Sequence, residues 1–382
     1  MKLILSLFLL LGLSAGAQTN PVASSYNAFG FKLLAQLRRS NPNQNIFISP
    51  PGVGFALSMV ANGAKGETLR QISAVLQLDN TADLNAANHA LLEEKLGPKI
   101  KLEIANGLWT STSLKPTFVA ATLQAYQAEL ATVNFQDPQT VNAINDWVSK
   151  QTHGKITEMV QAPLESMLRL IVMNAIYFKG DWAVPFSPKQ THDKPFTLDN
   201  GQTISQPRMS RTGDFEYYEN EVFQEVRLPY ADGEASLGII LPRKNLKDLL
   251  RTSIPNGWGG PMHLRKGTVE LPRFKLKNSY NLNDALKTLG MPLAFTRQAD
   301  FRGISTKGLY IGWVKQKTFV EVNEQGTEAA AVTGIGMEAM AVHREPPPFR
   351  MVVDRPFMVA LLEKKTGLIL FLGAIVDPRS NE

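Results

Sequence analysis

The chain has 382 residues, 44% of them hydrophobic and 19% charged, with a formal net charge of +6 and no cysteine. This composition excludes disordered, collagen-like and disulfide-scaffold classes. The missing thiol excludes cysteine nucleophiles, thiolate metal sites and thioredoxin-like redox chemistry.

Lys2 precedes an apolar run over 3–13, and Ala15-Gly16-Ala17 has the small-x-small form read by signal peptidase. A membrane helix needs about 18 apolar residues; this run is shorter, and Gly12 and Ser14 interrupt it. Residues 1–17 are therefore expected to be a secretory signal cleaved near Ala17. The mature protein is expected to be secreted, extracellular or periplasmic, and not to span a membrane. Gly12-Leu13-Ser14-Ala15-Gly16 matches the G-x-S-x-G nucleophile elbow, but no buried strand precedes it and it lies in the segment to be removed.

The first half of the mature chain reads mostly helical. Tyr26, Phe29, Leu33 and Leu37 recur at spacings of three and four, and Asn41-Pro42 ends that helix. Further helices are expected over 54–62, 67–76, 82–96, 117–130 and 140–150, with strands over 101–111 and 168–178. From Phe196 onward strand patterns are broken by expected turns at Asp199-Asn200-Gly201, Arg211-Thr212-Gly213 and Asp232-Gly233. A last strand pair, 356–362 and 368–375, turns through Glu363-Lys364-Lys365-Thr366-Gly367. Helices segregated from strands predict an α+β fold. With no linker and no repeat, 18–382 reads as one domain.

The inventory for enzyme chemistry is thin. His89, His153, His192, His263 and His343 show no pair at helical ligand spacing and no H-E-x-x-H, so neither a metal nor any other cofactor is expected. Neither a G-x-G-x-x-G after a strand nor a G-x-x-x-x-G-K-[ST] occurs, which removes support for nucleotide binding. Basic pairs such as Arg38-Arg39 and Lys364-Lys365 are scattered and lack interleaved aromatic residues, so no nucleic-acid partner is expected.

The segment between Phe319 and Pro348 is unusual. Phe319-Val320-Glu321-Val322-Asn323-Glu324 alternates as a strand, and a connection without a strong apolar face follows. Connections longer than about 15 residues are uncommon in compact domains unless they are functional or disordered. Within it Thr327, Ala329, Ala331, Thr333, Ile335 and Met337 form one small or apolar set, interleaved with Glu328, Ala330, Val332, Gly334, Gly336 and Glu338. That is the alternation of a strand with one face fit for burial. A flexible tether of Ala and Gly is the competing interpretation.

Val320-Glu321-Val322-Asn323-Glu324-Gln325-Gly326-Thr327-Glu328-Ala329-Ala330-Ala331 closely resembles the hinge of the serpins, suicide inhibitors of serine proteases. NIFISPPG at 45–52, NAIYFKGDWAVPF at 174–186, VELPRFKLKNSYNLNDALKTLGM at 269–291, ADFRGI at 299–304 and DRPFMVALLEKKTGLILFLGAIVDP at 354–378 resemble further serpin signatures in serpin order. The likeness runs from about Tyr26 to Pro378.

The resemblance implies a serpin fold of eight or nine helices and three β-sheets with an exposed reactive-centre loop. It implies a monomer that is not an enzyme and whose partner is a serine protease, trapped as a covalent acyl-enzyme. The hinge would comprise Glu324, Gly326, Thr327, Glu328, Ala329, Ala330, Ala331, Val332 and Thr333. Serpins are cut fourteen positions past the hinge glycine, which puts the reactive bond at Met340-Ala341. Methionine there suits the hydrophobic pocket of elastase-, chymotrypsin- or subtilisin-like proteases. Ser49, Asn174 and Gln316 match the polar cluster controlling sheet opening, although family members often have histidine where this chain has Gln316 and serine where it has Gly52. A glutamine can still bridge Ser49 and Asn174, because its amide both donates and accepts. Trp182 matches the tryptophan under the top of the sheet, and Glu324 and Arg273 match an acid and base on neighbouring strands. A non-inhibitory serpin, acting as carrier, chaperone or storage protein, is the alternative; Gly334 and Gly336 weaken a strand interior, but the inward set over 327–333 carries no bulky or charged residue.

Overall fold

The computed structural model describes residues 21–78, 84–251, 260–327 and 346–379. The segment 1–17, the hinge residues Glu328, Ala329, Ala330, Ala331, Val332 and Thr333, and the bond Met340-Ala341 lie outside the described residues. Among the described residues no helix is long and apolar enough to cross a membrane.

The chain begins with α1 (Pro21–Ser40), β1 (Ile46–Ile48), α2 (Pro50–Ala61), α3 (Gly66–Leu76) and α4 (Leu84–Glu93). Helix α2 is buried along its whole length and starts where Ser49 accepts a hydrogen bond from the Gly52 amide, with proline in the first turn. An all-round apolar helix belongs in a core, and α2 packs against α1, β4 and β15, defined below.

Next come β2 (Ile100–Thr110), α5 (Pro116–Tyr126), β3 (Glu129–Thr132), α6 (Pro138–Gln151) and β4 (Leu170–Asp181). The expected helix over 117–130 is too long. Gln127 adopts a left-handed conformation at φ 50° and ends α5, and the residues after it pair in parallel with 107–110 of β2 as β3. Pairing decides that strand, since Thr132 is its one β-branched residue and Glu129, Leu130 and Ala131 favour helix.

The second half contains β5 (His192–Thr197), β6 (Thr203–Glu219), β7 (Phe223–Pro229), β8 (Ala235–Pro242), α7 (Leu246–Arg251), β9 (His263–Pro272), β10 (Phe274–Asn281) and α8 (Asn283–Leu289). It closes with β11 (Trp313–Val322), β12 (Gly326–Thr327), β13 (Phe349–Val352), β14 (Phe357–Glu363) and β15 (Ile369–Ile375). The turns at Asp199-Asn200-Gly201 and Asp232-Gly233 form, with Gly201 and Gly233 at positive φ. The turn expected at Arg211-Thr212-Gly213 does not: β6 runs straight through it, paired with β9 from Arg208↔Pro272 to Tyr217↔His263.

The architecture is α+β, as expected, with eight α-helices and two continuous hydrogen-bonded sheets among the described residues. The nine-stranded sheet has the order β1-β15-β14-β8-β7-β6-β9-β13, with β5 on β6; the six-stranded sheet has the order β10-β11-β12-β4-β2-β3. Three sheets merge into two because the long β6 pairs with β5 and β9 along most of its length and with β7 at its end. The main core lies between the sheets and α1 and α2; Phe47 stacks on Phe371 there at 5.1 Å. A second core covers the outer face of the six-stranded sheet, where Ile144 and Val148 of α6 join Met173, Ala175 and Phe319.

Candidate functional site

Strands β4 and β11 run parallel and are paired from Trp313↔Ile171 to Thr318↔Ile176. Above that point they part, and the chain leaving β11 turns back between them as β12. Thr327 pairs with Val322 of β11 and with Gly180 of β4, antiparallel to both. The turn is made by Asn323, whose Oδ1 accepts from the amides of Gln325 at 3.0 Å and Gly326 at 3.3 Å. A Cβ on Gly326 would fall 2.1 Å from the Gly180 carbonyl oxygen. Only glycine permits that approach without displacing backbone.

The hinge sits on an aromatic floor. The Trp182 amide donates to the Gln325 carbonyl at 2.8 Å and its indole Nε1 donates to the Asn323 carbonyl at 2.9 Å. Its ring stacks on Tyr230 at 4.7 Å. Thr327, buried at 1% exposure, shares a 2.7 Å hydrogen bond with the Tyr230 hydroxyl. Burial pushes the Tyr230 phenol well above its ordinary value, against the opposing pull of the Thr327 hydrogen bond.

Glu324 is fixed by main chain and side chain. The Phe186 amide donates to its carbonyl at 2.7 Å. Its Oε1 accepts from Arg273 Nε at 2.7 Å, from Arg273 Nη2, and from the Thr191 hydroxyl at 2.5 Å. Burial alone would raise the carboxyl pKa, but these hydrogen bonds and the guanidinium charge outweigh it and hold the group below its ordinary value. Arg273 is itself anchored, because its amide donates to the Pro207 carbonyl at 2.9 Å and its carbonyl accepts from Gln206 at 2.7 Å.

Lower in the sheet, Ser49, Asn174 and Gln316 meet in a site buried to 1% exposure or less. Gln316 Oε1 accepts from the Ser49 amide at 3.0 Å, while Nε2 donates to the Ser49 carbonyl and to Asn174 Oδ1, each at 2.9 Å. The bridge that closes β4 onto β11 therefore runs through three neutral residues.

Several contributors escape sequence reasoning. Tyr230, Thr191 and Asn106, which accepts from Asn174 Nδ2 at 3.0 Å, come from segments distant in sequence and carry no local signal. Downstream of the hinge, Phe349 of β13 stacks on Tyr217 at 3.7 Å. Arg350 and Lys194 both donate to the buried Glu270, each on its own carboxylate oxygen, at 2.7 and 2.8 Å. Two anchors thus bracket residues 328–345 in the sequence.

The chain has counterparts among known proteins along most of its length. The profile of the Serpin (serine protease inhibitor) family matches residues 24–378. The leukocyte elastase inhibitor of Sus scrofa is 35% identical over 379 residues, covering 94% of this chain and 99% of that one. Among solved structures, native protease nexin-1 with heparin superposes with a TM-score of 0.83 at 26% identity, covering 94% of this chain and 100% of that chain. A thyroxine-binding globulin complex with thyroxine gives 0.82 at 25% identity, covering 94% and 99%. With the family profile, a relative aligned from end to end and the shared fold all in agreement, the chain belongs to the serpin family.

Proposed function

We propose that the protein is a suicide-substrate inhibitor of serine proteases with a hydrophobic primary pocket, of elastase, chymotrypsin or subtilisin type. The observation that carries this reading is β12, already paired on both edges between β4 and β11. Continued downward, the same register would bring Ala329 between Val320 and Phe178, Ala331 between Thr318 and Ile176, and Thr333 between Gln316 and Asn174. Small side chains keep that path clear. Thr333 would offer a hydroxyl, donor and acceptor together, to the two amides that sheet opening separates.

The reaction follows from the pairing. The protease serine Oγ attacks the Met340 carbonyl carbon, and the Met340–Ala341 amide breaks. Ala341 leaves as a free amine carrying a proton from the protease's histidine, and Met340 remains as an acyl ester. Insertion of 328–340 then exchanges one parallel interface for two antiparallel ones and drags the tethered protease across the molecule before water reaches the ester. The chain is consumed, so it is no catalyst. The pig relative's name supports an elastase-like target. The carrier alternative, which the thyroxine complex illustrates, is disfavoured by the unobstructed inward set over 327–333.

The test mixes the purified protein, as a monomer, with a panel of serine proteases. Denaturant-resistant complexes and release of a peptide beginning at Ala341 are expected; cleavage with no trapped complex would refute the reading. Export is part of the same proposal, and the secreted protein should begin at Gln18 by intact mass.

A further inference from the structure

A run of rings interrupted by one guanidinium joins the two anchors that bracket residues 328–345. At the hinge end the Phe186 amide holds the Glu324 carbonyl, and the Phe186 ring meets Trp182 nearly edge-on at 6.5 Å. Arg211 of β6 comes next, its Cζ 5.3 Å from the Phe186 centroid and 4.6 Å from that of Phe215. Phe215 in turn meets Phe349 at 5.8 Å, so the run ends in the stack of Phe349 on Tyr217 at the distal anchor. Arg211 and Phe215 share one face of β6 because they stand four residues apart in a strand. Gly213 between them carries no side chain, and a Cβ there would meet nothing within 4 Å. The guanidinium can therefore lie against the Phe215 ring.

Arg211 has no counter-ion among the described residues. Its Nη1 donates to the Val184 carbonyl, and burial alone pulls its pKa down to about 10, with no carboxylate acting against it. Arg38, Arg273 and Arg350, by contrast, each face an aspartate or glutamate. A cation withdrawn from water with no opposite charge costs free energy, and a run of rings could be completed by an uncharged side chain. The charge calls for a partner from outside. One of five guanidinium donors is used, and Val184 beside it is 56% exposed. A planar fork of donors on aromatic faces suits a carboxylate, which it can grip at two points. Position selects the source of that carboxylate: a protease seated on 328–345 comes down between the two anchors, where Arg211 stands.

We propose that Arg211, held between Phe186 and Phe215, is a docking point for a surface carboxylate of the target protease and speeds the encounter that precedes attack on 328–345. The identity of the partner rests on the proposed function, but the test reads cleavage whether or not the protease is then trapped.

Wild type, Arg211→Met and Arg211→Lys are mixed with chymotrypsin, pancreatic elastase and subtilisin, and the second-order rate of cleavage within 328–345 is followed by mass spectrometry at low and high salt. Methionine keeps an unbranched side chain between the rings without the charge. With at least one of these proteases Arg211→Met should slow cleavage about tenfold at low salt. The loss should shrink below about twofold near ~1 M salt, where the screening length falls to about 3 Å. Arg211→Lys should fall between, having the charge but not the fork, and the thermal midpoint should stay with that of wild type. If Arg211→Met does not accumulate, Arg211→Gln takes its place. No loss of rate, or the same loss at both salt concentrations, overturns docking and leaves Arg211 a packing residue. A carboxylate of this chain is the competing occupant; an Arg211→Met effect that vanishes once Glu328, Glu338 and Glu345 are all glutamine also overturns docking. Wild type that is cut but traps nothing would refute suicide inhibition and leave the comparison of rates intact, whereas wild type that none of the three cuts within 328–345 would overturn both.

Discussion

Glu324 gathers three donors on one carboxylate oxygen while its side chain is 7% exposed. Because its folded-state pKa lies below the ordinary value of 4.5, its contribution to the hinge is complete above that value and is lost as pH falls through the lowered one. Acidification through this window should loosen the turn over 323–326, read as faster exchange at the Trp182 and Phe186 amides. Glu324→Gln should abolish that response, and an unchanged acid response in the variant would contradict the assignment. Arg273→Ala strands a buried carboxylate and should cost about 1–3 kcal/mol, measured by chemical denaturation. Substitution of Met340→Arg should move the inhibition profile toward trypsin-like enzymes; an unaltered profile would place the cut elsewhere. Ser49, Asn174, Trp182, Arg273 and Glu324 were legible because each sits in a segment that resembles the family, whereas Gln316 lies outside those segments and was matched by position alone. Tyr230 and Thr191 were not, since only the folded sheet brings them to the hinge.

Among elements, β12 bears the functional argument. Thr327 is buried over Tyr230 and paired on both edges, so Thr327→Arg forces a charge into a dry slot. The variant should be cleaved as an ordinary substrate, with covalent trapping lost; undiminished trapping would show that insertion does not pass through this gap. The alternation over 327–337 suggests a strand from its period of two alone, and beyond Thr327 it lies outside the described residues. Where context rules, local reading falls short. The left-handed Gln127 cuts α5 short, β3 exists through its pairing with β2, and β6 crosses the expected Arg211-Thr212-Gly213 turn because β9 pairs with it throughout.

The whole molecule follows from an α+β pattern that the chain displays openly, helices first and strands after, with the merging of sheets through β6 decided by pairing alone. Its six-stranded sheet is forked, closed below by β4 on β11 and the Gln316 bridge, and open above around β12. On the proposed mechanism this closed arrangement stores free energy that the inserted strand releases. The most direct measurement compares thermal unfolding of the intact protein with that of the same protein nicked once within 328–345. The midpoint is predicted to rise by about 20 °C or more, toward the hyperstable range. A nicked protein that melts with the intact one would contradict the account at its root.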